Sequence, residues 1–149
     1  MANHLRRQIR EAIATAVTGL ATTGSHVFQS RVYPLEDTDL PALLVLAETE
    51  NTEAVTIHPH RTLQRTVTVD VIGVAKANAD LDDTLDAIAK EVEVALAPPV
   101  SALAGLAQDI GPPQTDIVMD GTGEKPTGRV RLRFDVEYFT ADNAPDTAL

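Results

Sequence analysis

Along residues 3–18 the apolar positions recur at helical spacing: Leu5, Ile9, Ile13, Ala16 and Val17 share one side. This predicts an amphipathic helix capped by Asn3 and ended by Gly19, with Arg6 and Arg10 one turn apart on its exposed side. A clearer helix is predicted over 80–97, where Leu81, Leu85, Ile88, Val92 and Leu96 make one apolar stripe. Asp80 is placed to cap it, Asp82 and Asp83 sit in the first turn where the helix dipole favours negative charge, and Pro98-Pro99 stops it. Residues 100–107 read as one more helical turn.

Between and after these helices the period changes to two. Residues 26–33 read as a strand ended by Pro34, with an acidic turn over Leu35–Asp39. After Pro41 the run ALLVLAETE fits a buried strand. The polar stretch 49–62 reads as a long loop or an extended hairpin tip. Over 63–75, Leu63, Val67, Val69 and Val71 face one way and Thr66, Thr68 and Asp70 the other, with Gly73 marking a bulge or a close neighbour. Residues 114–120 form a strand, GTGEKPTG a hairpin tip over 121–128, and 128–140 alternate strictly. In that last strand Val130, Leu132, Phe134, Val136 and Tyr138 oppose Arg129, Arg131, Arg133, Asp135 and Glu137. The order of elements predicts an α+β fold: a single mixed, mostly antiparallel sheet, two main helices on one face, and a long projecting hairpin or loop. Residues 1–140 form one domain and 141–149 a flexible tail.

Composition narrows the chemistry. Hydrophobic residues make up 44% of the 149, enough for a core, but aromatics only 3%, which disfavours a site that stacks flat ligands. The net charge of -10 argues against duplex binding, which needs a basic footprint. The chain lacks cysteine, an apolar run long enough to span a bilayer and a signal-peptide core, so a soluble intracellular product is expected. Charge is uneven: residues 1–35 hold Arg6, Arg7, Arg10 and Arg31 against Glu11, whereas 77–124 hold ten acids against Lys90. That suits copies that meet head to side, or two solvated faces.

No motif points firmly to a reaction. His58 and His60, with Glu48, Glu50 and Glu53 nearby, are the best metal candidates, but no local element fixes a third ligand. Asp80, Asp82, Asp83 and Asp86 do not follow the spacing of a calcium loop, and Lys125 lacks the preceding glycine and following helix of a phosphate loop. No serine sits in a nucleophile elbow. The sharpest charged feature is Arg129, Arg131 and Arg133 on one strand face, suited to acids of a neighbouring subunit or of the same sheet. No catalytic residue, cofactor or metal is expected.

As a whole, the pattern resembles the tail terminator (tail completion) proteins of long flexible-tailed bacteriophages and gene transfer agents. The resemblance is carried by LRRQIREAIATAV, SRVYPLEDTDLPALLV, RTLQRTVTVDVIG, DDTLDAIAKEVEVAL and GTGEKPTGRVRLRFDVEYFT, which span most of residues 4–140. It implies a structural virion protein: a ring, usually of six copies, that caps the tail tube, stops its growth and joins the neck under the head. The implied partners are further copies, the tail tube protein and a neck or head-completion protein, with DNA only as passing cargo and no membrane. The implied place is the head-proximal end of the tail, after assembly in the host cytoplasm. Candidate interface residues are Arg6, Arg10, Arg129, Arg131, Arg133, His58, His60 and Lys125, with the 49–62 loop and 121–128 tip as arms. The alternatives are another head–tail connector of similar fold, a small metal-dependent enzyme using His58 and His60, and a nucleic-acid binder using Arg6, Arg10 and the 129–133 strand.

Overall fold

The computed structural model describes residues 2–29, 37–97, 103, 105–120 and 127–149. The chain runs α1 (Leu5–Ala16), β1 (Val27–Phe28), a short 3-10 turn (Asp37–Asp39), β2 (Ala42–Ala54), β3 (Thr62–Lys76), α2 (Leu81–Ala95), β4 (Asp109–Ile110), β5 (Gln114–Asp120) and β6 (Thr127–Ala141). The six strands form one mixed sheet in the order β1-β2-β3-β6, with β4 and β5 sharing the outer edge of β6. Among the described residues only the β1–β2 pair is parallel. The predicted α+β class is what the structure adopts.

The frame is the run of three long antiparallel strands. β3 and β6 pair without interruption from Thr62↔Ala141 to Lys76↔Thr127. β2 pairs with β3 from Ala42↔Val74 to Ala54↔Leu63, with one irregularity between Ala47 and Thr49. Both helices cover the same face, α1 over β2 and α2 over β3 and β6. There Leu5, Ile9 and Ile13 of α1 and Leu81, Leu85, Ile88 and Val92 of α2 meet Leu43, Val45, the Val67–Val69–Val71 row and the Val130–Tyr138 row. The opposite face holds a smaller apolar cluster of Leu44, Leu46 and Val74 with Phe28, Leu40 and Ile72.

Several local expectations are amended. α1 is capped by His4, whose Nδ1 accepts from the Arg6 N–H at 3.1 Å, whereas the Asn3 side chain accepts from Arg7 Nη1 at 3.3 Å. Asp80 does occupy the N-cap of α2, but its side chain makes no capping bond, and its own N–H donates to Asn78 Oδ1 at 2.9 Å. Of the two readings of 49–62, the extended hairpin tip is the one adopted: pairing carries β2 to Ala54, and the Val55 N–H still donates to the Thr62 carbonyl at 2.9 Å. The β2–β3 hairpin, called the arm below, is thus flanked by β6 as far as Thr62↔Ala141, and only its turn, residues 55–61, extends past the paired strands. Of the 26–33 strand, Val27–Phe28 are strand and 30–33 lie outside the described residues, as do Pro98-Pro99, residues 100–102 and 104 of the predicted 100–107 turn, and residues 121–126; within 100–107 the Leu106 N–H donates to Leu103 C=O at 2.8 Å.

The 141–149 segment makes specific contacts with the body. Ala141 ends β6, and the residues beyond it are fastened to the body. Pro145 C=O accepts from the Leu5 N–H at 2.9 Å, one of the donors that a helix start leaves without a partner. The Leu149 N–H donates to Phe139 C=O at 3.0 Å, and Ala148 packs against the core.

The His4 cap gives the fold a pH dependence. Burial, then the nearby Arg6 charge, lowers the His4 pKa from its ordinary 6.5. The folded chain therefore binds this proton less readily than the unfolded chain. His4 contributes its full stability above 6.5, and that contribution is lost as pH falls through 6.5 and on through the lowered folded value. Urea midpoints are expected to drop over that interval. His4→Asn, which keeps a capping acceptor that does not titrate, is expected to remove this part of the slope.

Candidate functional site

The guanidinium and carboxylate groups that stood out in sequence separate into two internal clusters. The first lies on the helix face. Glu50, its side chain 8% exposed, accepts from Arg6 Nη1 of α1 at 2.9 Å and from Arg65 Nη1 of β3 at 3.2 Å. Its other oxygen accepts from the hydroxyl of Tyr138. Arg65 also donates to Thr140 Oγ1 at 3.0 Å. Burial, and then the bond to Glu50, holds the Tyr138 phenol well above its usual range. This cluster ties α1, β2, β3 and β6 together at one end of the core.

The second cluster lies on the opposite face and uses direct cross-strand pairs. Arg133 grips buried Asp70 with two bonds, Nε to Oδ1 at 2.9 Å and Nη2 to Oδ2 at 3.2 Å. The hydrogen bond to Asp70 raises the Arg133 pKa further. Arg131 donates from Nη2 to Asp116 Oδ2 of β5 at 2.6 Å, while its buried Nε has no acceptor among the described residues. Thr68 donates to Asp135 at 2.9 Å and Gln64 to Glu137 at 2.9 Å, so most of this face is satisfied within the sheet.

Of the residues singled out from sequence, Arg6, Arg131 and Arg133 are therefore occupied inside the chain. Arg10 donates from Nε to Gln29 Oε1 at 3.2 Å. His60 Nδ1 stands 3.1 Å from Asp142, which also takes Arg61 Nε at 3.4 Å. The Arg61 backbone N–H, then the Arg61 and His60 side chains, hold the Asp142 carboxyl below its usual range. His58 is exposed on the arm turn. Glu50 is committed to the core cluster and is not a partner of the histidines. Among the described residues no group of three or more His, Cys, Asp or Glu converges as metal ligands would. Lys125 lies outside the described residues. Arg129 is exposed and has no acceptor among them.

Several large apolar side chains are accessible as well. At the arm tip Val55 and Ile57 are 50% and 87% exposed. On β5 the consecutive residues Ile117, Val118 and Met119 are all more than half exposed. The sequence pattern places a strand at 114–120 but singles out no interface residue on it, because a seven-residue strand with mixed polarity gives no sign of which neighbour it lacks. A groove of about 440 Å³ between the end of α2 and β4 is lined by Leu96, Ile110, Pro112, Pro113 and Phe134 with Glu93 and Asp109 at hand. Among the described residues no helix is long and apolar enough to cross a membrane.

No family model matches the chain, and no curated protein matches it in sequence. Among solved structures it is similar to a chain of the virion of a native gene transfer agent (GTA) particle, at 18% identity over 90% of each chain and a TM-score of 0.45.

Proposed function

We propose that the chain is a structural virion protein of a phage or gene transfer agent. Within that class we propose the tail terminator: a non-catalytic ring, hexameric by the resemblance, that caps the tail tube, stops its polymerisation and receives the neck. One observation carries this reading. The singled-out arginines Arg6, Arg131 and Arg133 are paired within the chain, while large apolar side chains are left exposed at the β2–β3 turn and on a sheet edge. Soluble monomers rarely leave such features bare, and assembly between copies and with neighbouring proteins would cover them. The sequence pattern across residues 4–140 supports the same reading. The net charge of -10 suits a lumen through which DNA passes without sticking.

Deleting the gene from a producing genome tests it by electron microscopy. Tails of uncontrolled length are expected. Tails of normal length that are detached from heads would instead make the protein a connector or neck adaptor. A variant with both His58→Ala and His60→Ala is expected to support normal particle yield, and loss of activity with a correctly folded variant would favour metal-dependent chemistry on the arm.

A further inference from the structure

The two exposed apolar features sit at opposite ends of the sheet. The arm tip lies just beyond the Ala54↔Leu63 pair, whereas β5 lies alongside Thr127–Arg133 of β6, opposite Asp70–Lys76 of β3. Leu63 and Gly73 are ten residues apart on one strand, about 33 Å, so the tip cannot reach β5 of its own chain. Among the described residues no segment of the same chain covers either feature, and the tip can meet β5 only of another copy.

The two features also match in chemistry. On the arm, Glu53, Val55 and Ile57 recur at every second position, all exposed, and Glu53 has no cationic partner among the described residues. On the other side, Ile72, Asp116, Ile117, Val118, Arg129 and Arg131 line an open groove of about 450 Å³. Asp116 is spent on Arg131, which leaves Arg129 as the free charge of that groove. Successive strand side chains point to opposite faces, yet Ile117 and Val118 are both bare. A missing helix layer would expose one face only. Exposure on both is what the absence of a neighbouring segment along the edge produces. No described strand pairs with that outer edge of β5.

We propose that the tip of the β2–β3 hairpin of one copy seats along the β5 edge of a second copy, with Val55 and Ile57 against Val118 and Glu53 meeting Arg129, all on the face opposite the helices. The proposal rests on the self-assembly reading above and gives it a contact. The contact is heterologous, since the donor and acceptor surfaces differ, and its repetition generates a closed ring or a filament according to the rotation between copies.

The chain has no cysteine, so disulfide trapping tests this without background. Ile57→Cys and Val118→Cys proteins are mixed in equal amounts and mildly oxidised at high concentration. A mixed dimer several-fold above either homodimer is expected, and the double variant alone should give a ladder of multimers. In the same assay Arg129→Glu should reduce the mixed dimer several-fold, and Glu53→Arg in the partner should restore it. Homodimers in excess, or a random mixture, overturn the proposal. So does the absence of cross-links. If the wild-type chain then sediments as a multimer at the same concentration, only this contact falls. If it stays a monomer alone and on tube ends, the self-assembly reading falls with it.

Discussion

Replacing Glu50 by alanine is expected to lower the unfolding free energy by about 3–5 kcal/mol, the cost of breaking a buried ion pair by removing one partner. Three donors converge on this carboxylate, and they do not lose equally. Arg6 is 43% exposed and can turn to water. Arg65 is 11% exposed and would keep its charge inside the protein with Thr140 as its remaining neutral partner. The Tyr138 hydroxyl, on a fully buried side chain, would lose its acceptor. Glu50→Gln retains an acceptor for Tyr138 and should cost less. Adding Arg65→Met to Glu50→Ala should recover part of the loss, because the stranded charge goes with it. Urea unfolding of the three variants measures this. A loss below about 1 kcal/mol for Glu50→Ala would mean that the cluster behaves like an exposed salt bridge and does not organise this end of the core.

Glu50 also shows where sequence reasoning stops. Strict alternation from Leu43 and Val45 would carry the helix-facing phase on to Thr49, Asn51 and Glu53. The irregularity between Ala47 and Thr49 shifts the phase by one, and pairing then places Glu50 opposite Val67 and Thr52 opposite Arg65, on the helix face. No residue in ETENTE announces that extra step. For the same reason the sequence could not choose between a loop and a hairpin for 49–62: the polar run from Asn51 to His60 reports solvent, not absence of strand pairing. By contrast β3, β6 and both helices were legible because each buries one continuous apolar row, and the periodicity of that row is set by backbone geometry alone.

The candidate site was legible in kind more than in place. The Arg129–Arg131–Arg133 row is on one face, as alternation requires, but sequence could not choose between partners in the same sheet and partners in another copy. Register decides it: Asp70 stands directly opposite Arg133, and Asp116 directly opposite Arg131. Arg129 falls between Val74 and Val118, and is left over for that reason alone. The two-residue strand β4 depends on single backbone bonds such as the neighbouring Gly111 N–H to Asp135 C=O at 2.9 Å, and residues 142–149 on these together with scattered contacts such as Asp142 to Arg61, none of which leaves a periodic pattern to read.

Gly73 is the position where the least addition should do the most damage. The sequence marked it as a bulge or a close approach, and register runs through it without a break, pairing it with Leu43 and Val130. The reason for glycine is therefore the helix above. A Cβ at this position would stand 2.6 Å from Ile88 Cγ2 and 3.0 Å from Val130 Cγ1. The Gly73 backbone is outside the left-handed region, so at an uncrowded site the same change would stabilise by about 0.4–1 kcal/mol through the unfolded chain. Here crowding should win. Gly73→Ala is expected to cost about 1–3 kcal/mol and Gly73→Val more, because Ile88 is buried in the stripe that seats α2 and cannot swing into solvent. Ile88→Ala alone should cost about 2–5 kcal/mol as a cavity, yet combined with Gly73→Ala the total should fall clearly short of the sum, since the new methyl occupies the space that Ile88 gives up. A Gly73→Ala protein as stable as the wild type would show that α2 does not rest on this glycine. A strictly additive double variant would show that Ile88 is not what the methyl meets.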